Sequence, residues 1–250
     1  MKAFSIPLFH IIKRKALLLT LLILNSCVIN AQEKSTRVGI QFKPVFASGF
    51  FGTGPQSITD SSYNYNISQG FAYSGGLVIR KGYSKTLSLE FGINYAMRSY
   101  KIVATGPPGS VETDIKIVGY EIPVSQLIFI RLSKSIFMNA AAGFCINMFP
   151  TDANKFTSDL AVYAGRKLVF NPSLIANIGF EYRTEKKGYF YIGSSLNRPF
   201  SSIYVMSIDY LNSSSNVLNN IATELNGTYL TVDFRYFFHE NPDKKKKKRS

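Results

Sequence analysis

The chain reads as an all-β protein: an eight-stranded antiparallel up-and-down transmembrane β-barrel with short periplasmic turns and long extracellular loops. Three observations predict it. Apolar residues alternate with small or polar ones, at period two, in segment after segment from Val38 to Phe238. The connections between those segments are by turns short and long, as in outer-membrane barrels. No helical periodicity runs through the chain after residue 31.

The N-terminal segment comes first. Ala16 to Leu24 is apolar and follows Lys13, Arg14 and Lys15, which is the pattern of an export signal and too short for a membrane span. Ala31 before Gln32 suits signal peptidase, so residues 1–31 are expected as a cleaved signal peptide. A second cut stays open: Leu24-Asn25-Ser26-Cys27 resembles a lipobox and would leave a lipidated Cys27, although Asn25 fits it poorly. Of the two cysteines, Cys27 and Cys145, cleavage after Ala31 leaves one, so no disulfide is expected within the mature chain. Cys145 is expected as a small packed residue.

Residues 32–238 are expected to form the barrel. In the first strand Val38, Ile40 and Phe42 alternate with Gly39, Gln41 and Lys43. The second sets Phe71, Tyr73, Leu77 and Ile79 against Ala72, Ser74, Gly76 and Arg80. The third sets Leu87, Leu89, Phe91, Ile93, Tyr95 and Met97 against Ser88, Glu90, Gly92, Asn94, Ala96 and Arg98. The fourth, about 112–131, changes phase near Gly119, where a bulge is expected. The fifth covers Ile136 to Met148, the sixth Phe170 to Arg183, and a weaker seventh about 188–200. The eighth, Tyr229 to Phe238, carries Leu230, Val232, Phe234, Tyr236 and Phe238 on one face, the closing-strand signal read in barrel assembly. Segments 81–85, 132–135 and 184–188 are short polar turns. Segments of about 47–69, 104–111, 150–167 and 201–226 are expected as long external loops.

A soluble barrel alternates too, but its polar face meets water and carries many Lys, Glu and Thr. Here the polar face is mostly Gly, Ala, Ser and Asn, which suits a crowded interior. The apolar face is nearly uninterrupted, and 15 Tyr and 20 Phe supply interfacial aromatics in the absence of Trp. The lumen is then expected to hold a structural charge network of Lys43, Arg80, Glu90, Arg98, Glu121, Glu181, Arg183, Asp233 and Arg235. These must pair, because an unpaired buried charge costs several kcal/mol, of order 3–5. About eight strands leave room for side chains and hardly for a water channel.

Three features then carry a family resemblance: Tyr120-Glu121-Ile122-Pro123-Val124, the Asn-Ala-Ala-Ala-Gly run at 139–143, and the Leu230–Phe238 strand. With the signal ending at Ala31-Gln32, the mature chain resembles the PorT-like family of small bacterial outer-membrane β-barrels. The resemblance implies an outer-membrane location, an eight-stranded barrel and, for one branch, a part in protein secretion; it brings no catalytic residues. Such barrels often end at the last aromatic, whereas a basic tail follows here.

Chemistry is limited by composition. The two histidines, His10 and His239, fall in the signal and just past the last strand, so neither a Ser-His hydrolase nor a His-based zinc site is expected. Gly49 to Gly54 lacks the Lys-Ser/Thr and helix of a phosphate loop, and Gly106-Pro107-Pro108-Gly109 reads as a turn. The net charge of +14 is concentrated in the signal and in Lys244 to Arg249, so nucleic acid is not an expected partner. Residues 239–250 are expected as a disordered basic periplasmic tail, solvated or tethered to anionic surfaces. The expectation is therefore a non-enzymatic outer-membrane protein without a cofactor. It acts through external loops or envelope contacts, and its partners are outer-membrane lipid, the barrel-assembly machinery and possible envelope or secretion proteins. A PorT-type secretion subunit and a soluble periplasmic ligand-binding barrel are the alternatives.

Overall fold

The computed structural model describes residues 35–46, 54–211 and 216–239. The signal segment with Cys27 and the tail beyond His239 lie outside them. Among the described residues alternation produces thirteen strands: β1 Thr36–Phe46, β2 Gln56–Asp60, β3 Tyr63–Gly82, β4 Leu87–Gly106, β5 Gly109–Arg131, β6 Ile136–Met148, β7 Ala153–Phe156, β8 Leu160–Arg166, β9 Phe170–Arg183, β10 Tyr189–Pro199, β11 Tyr204–Leu211, β12 Val217–Leu225 and β13 Tyr229–Phe237.

This corrects the expected eight-stranded up-and-down barrel with irregular loops. The strands form two sheets, one of nine and one of four. The large sheet runs β1-β13-β10-β9-β6-β5-β4-β3-β2 and curls, with β1 bonded to β13 along one edge and to β3 along the other. Its edge forks at β3, where Tyr63 to Ile67 pair with β2 and Tyr73 to Lys81 pair with β1. The small sheet, β12-β11-β8-β7, is open at both edges. Its strands, with β2, occupy segments expected as loops. The physical reason is visible in β11, where Tyr204, Met206, Ile208 and Tyr210 alternate and are all buried. Flanking Ser and Asn hid that short pattern.

Gly106 pairs with Gly109 across Pro107-Pro108, so residues 104–111 are a tight hairpin, with Gly109 at φ 139°. Only glycine adopts that backbone readily. The expected bulge near Gly119 is absent: β4 and β5 stay in one register from Leu87↔Ile128 to Gly106↔Gly109. What changes near Gly119 is the inner face itself, from Glu121 to Ile117 and Ile115. The shift in register lies in β3, between Gln69 and Ala72. There the buried set moves from Tyr65 and Ile67 to Ala72, Ser74, Val78 and Arg80.

The molecule thus has two parts stacked along the same long strands. In the lower part, nearest the short turns, side chains such as Leu77, Ile93, Ile128, Ile178 and Phe234 point outward and are about half exposed. Polar and charged side chains fill the inside. In the upper part, the ends of β3, β4 and β5 pack on the small sheet around an apolar core that includes Tyr65, Ile102, Ile115, Leu160, Met206 and Ile208. We call this part the head.

Candidate functional site: the charged interior

The inner faces of β1, β3, β4, β9 and β13 bring seven of the nine expected lumen charges into one chain. Arg183 Nε lies 2.6 Å from Glu181 Oε1, and the other oxygen of Glu181 takes Arg80 Nη1. Arg80 Nη2 is 2.9 Å from Glu90 Oε2, and Glu90 Oε1 takes Arg235 Nη1. Arg235 Nη2 is 2.7 Å from Asp233 Oδ2, which faces Lys43 Nζ at 3.7 Å. Signs alternate along the whole series, and a cation stands at each end. Glu181 and Asp233 are fully buried. In a low-dielectric interior each carboxylate is held between two cations, the arrangement that offsets its desolvation.

The other two charges form a separate pair higher up. Arg98 Nη2 lies 3.1 Å from Glu121 Oε1 and its Nη1 donates to Gly227 O at 3.2 Å. Tyr229 and Ser74 donate their hydroxyls to Glu121. The Arg98 guanidinium stacks on the Tyr229 ring at 4.2 Å, directly beneath the apolar core of the head.

Neutral groups complete the packing. Gln41 Nε2 donates to Asn94 Oδ1 at 2.6 Å, and Asn197 Nδ2 to Tyr229 Oη at 2.9 Å. Tyr191 donates to Asn177 Oδ1 at 2.7 Å. Its phenol crosses Gly179 and Gly193, where an added Cβ would sit 2.3 and 2.0 Å from the Tyr191 oxygen. The small inner-face residues are thus the complement of a large neighbour. Between Lys43, Asn94, Glu121 and Asn197 remains a cavity of about 40 Å³. That holds roughly one to three waters, so side chains plug this interior.

The closing strand is hydrogen-bonded on both edges, to β1 and β10. Phe234 and Phe238 are exposed, while Leu230, Val232 and Tyr236 are half-buried on the same outer face. Phe237 points inward under the Arg80 guanidinium, 3.9 Å from its ring centre. Cys145 is buried and unpaired. Loop carboxylates are not brought together: Asp60 accepts from Asn219, and Asp152 from Arg166 and Tyr163. No cluster of three His, Cys, Asp or Glu is placed to hold a metal among the described residues.

Sequence reasoning missed Tyr191, Tyr229 and Arg37. Arg37 stands in the period-two phase of Gln41 and Lys43, and Tyr229 in that of Thr231 and Asp233. Arg37 lies one residue before Val38, where the first strand was read to begin, whereas Tyr229 already headed the closing strand and only its inward phase went unread.

A charged, plugged interior inside an apolar outer surface defines a class, and the comparisons agree with it at the level of fold. The crystal structure of the outer membrane protein OprG from Pseudomonas aeruginosa superposes with a TM-score of 0.54 at 12% identity, over 85% of this chain and 100% of that one. The outer membrane protease OmpT from Escherichia coli matches less well, with a TM-score of 0.41 at 8% identity over 82% of this chain and 94% of that one. No family model and no curated protein matches the sequence. The chain is structurally related to outer-membrane β-barrel proteins, and the likeness does not single out the PorT-like family.

Proposed function

We infer that the protein is a non-enzymatic outer-membrane component. Its lower part sits in lipid and its head stands in water outside the cell, where it meets its partners. The observation that supports this most is an inversion of polarity along unbroken strands. In lower β4 and β5 the outer face is Phe91, Ile93, Tyr95, Ile122 and Ile128, and the inner face is Glu90, Asn94 and Glu121. In their upper ends Lys101, Glu112, Asp114 and Lys116 are outside, and Ile102, Ile115 and Ile117 are buried. A strand wholly in water has no reason to reverse; a strand leaving hydrocarbon does.

Two details accord with this. Outward residues Leu87 to Met97 cover roughly 33 Å of strand at about 3.3 Å per residue, or about 25 Å of membrane normal once tilted by about 40°. Rings of Phe42, Tyr73, Tyr95 and Tyr120 follow one another across four strands at centroid separations of 6.0, 6.3 and 6.0 Å. They form a row at the upper edge of the apolar band, as an interfacial girdle would. A soluble ligand-binding role fares poorly, because the apolar face points out and the interior is filled. The PorT-type secretion role rests on the sequence resemblance alone; unchanged surface-protein export after deletion would exclude it. The general reading is tested by extraction and gel mobility. The protein is expected in the detergent-solubilised envelope fraction, with mobility that changes on boiling in SDS; recovery in the soluble extract would refute it.

A further inference from the structure

The charge series inside the molecule ends at Arg183, and Arg183 lines a second cavity. This basin opens at the short-turn end and holds about 420 Å³. Arg37, Arg80, Lys85 and Arg183 line it together with Ser84 and Ser88, and no aspartate or glutamate among the described residues does. The imbalance extends inward. Arg183, Arg80, Arg235 and Lys43 are met by Glu181, Glu90 and Asp233, which leaves one positive charge over. Arg37 and Lys85 then add two more at the rim.

Aromatic rings hold Arg37 and Arg183 in place. The Arg37 guanidinium lies over Tyr189 at 3.9 Å, and that of Arg183 over Phe137 at 3.9 Å and Phe129 at 4.7 Å. Stacking occupies the flat faces of a guanidinium and leaves its N–H edge available, and that edge matches the oxygens of a phosphate or carboxylate. Arg183 spends only its Nε on Glu181. Converging cations repel at short range unless an anion sits among them, and a concave wall strengthens the field they share.

We propose that this basin is a binding site for a soluble phosphate-type oxyanion, held by Arg37, Lys85 and Arg183 with serine hydroxyls as further donors. A dianion fits the surplus of positive charge better than a single carboxylate. The site faces the periplasm if the head faces outward, but its existence does not depend on the membrane reading.

The test uses the full mature chain folded in detergent micelles, with inorganic phosphate as probe in calorimetric titration and acetate as the control anion. Saturable phosphate binding is expected, weaker in high salt and at least tenfold weaker in the double variant Arg37→Gln, Lys85→Gln. Arg37→Lys with Lys85 retained should recover part of it. A chain ending at His239 should bind as the full chain does. The proposal fails if phosphate does not saturate, if acetate binds as tightly, or if the double variant binds normally. It also fails if removing residues 240–250 abolishes binding, which would mean an adventitious ion only, collected by the lysine run. Folding of every variant is checked by its β-sheet circular dichroism and thermal unfolding midpoint, which do not rely on the membrane reading.

Discussion

The lower and upper halves of β4 and β5 obey opposite rules although they belong to the same two strands. Below, polar groups turn inward and apolar groups outward; above, the reverse. The side of a strand is therefore no guide to its polarity. In the proposed placement, polarity follows from what lies beyond each face: outside, hydrocarbon below and water above; inside, packed charges below and a second sheet above. Arg98 and Tyr229 stand at the changeover, tying the charged interior to the apolar head.

Breaking the lower interior should cost most. Glu181 joins the buried Arg80 to the partly exposed Arg183, so Glu181→Ala leaves Arg80 with Glu90 alone and Arg183 with no carboxylate, a loss of roughly 3–5 kcal/mol. Urea unfolding in micelles would show it, and a normal midpoint would mean the series contributes little. In the head, Ile102→Ala opens a cavity in a dry core and is expected to cost about 2–5 kcal/mol. Outer-face changes should separate the halves most clearly. Ile93→Arg in the apolar band is expected to cost about 2–4 kcal/mol, whereas Thr105→Arg, outward in the head, should stay within about 0.5 kcal/mol. Equal penalties would erase the distinction.

The smallest effects belong to the head surface. Lys101 and Glu112 pair at 2.7 Å but are half exposed or more, so Glu112→Gln should change stability by about 0–1 kcal/mol. Asp152 accepts the Arg166 N–H at 3.0 Å and the Tyr163 hydroxyl at 3.0 Å, and those bonds, the backbone one foremost, hold its carboxyl below the ordinary range. A lowered folded value means the stabilisation is fully present above the unfolded value, near 3.9. It is lost as pH falls through the lower folded one. Asp152→Asn should therefore lower head stability slightly at neutral pH, flatten the small fall below about pH 4, and match the unsubstituted chain in acid.

Much of the lower half was legible in sequence. Alternation located β6, β9, β10 and β13 nearly to the residue, and the middle of β1, because one apolar face and one small or charged face give a clean period. The same phase brought Lys43, Arg80, Glu90, Glu181, Arg183, Asp233 and Arg235 onto one inner surface. The head was not legible. Its strands are short, bury alternate residues against a partner sheet far away in sequence, and sit among Ser and Asn that read as loop. The change at Gly119 looked like a slip in phase, but the face was continuous and only its surroundings changed. Counting eight strands followed from that blind spot. The basin was half-visible: Arg37 lay in phase, while Lys85 belongs to a turn that only the fold brings beside it.

One labelling experiment decides between the two environments. Single cysteines at Phe91 and Ile93, and at Lys101 and Lys116, would be placed in a Cys145→Ala background and reconstituted in bilayers. The first two should resist a water-soluble thiol reagent and be quenched by acyl-chain probes, and the second two should react freely. Rapid aqueous labelling at Phe91 and Ile93 would contradict the lipid-facing assignment and the polarity inversion built on it.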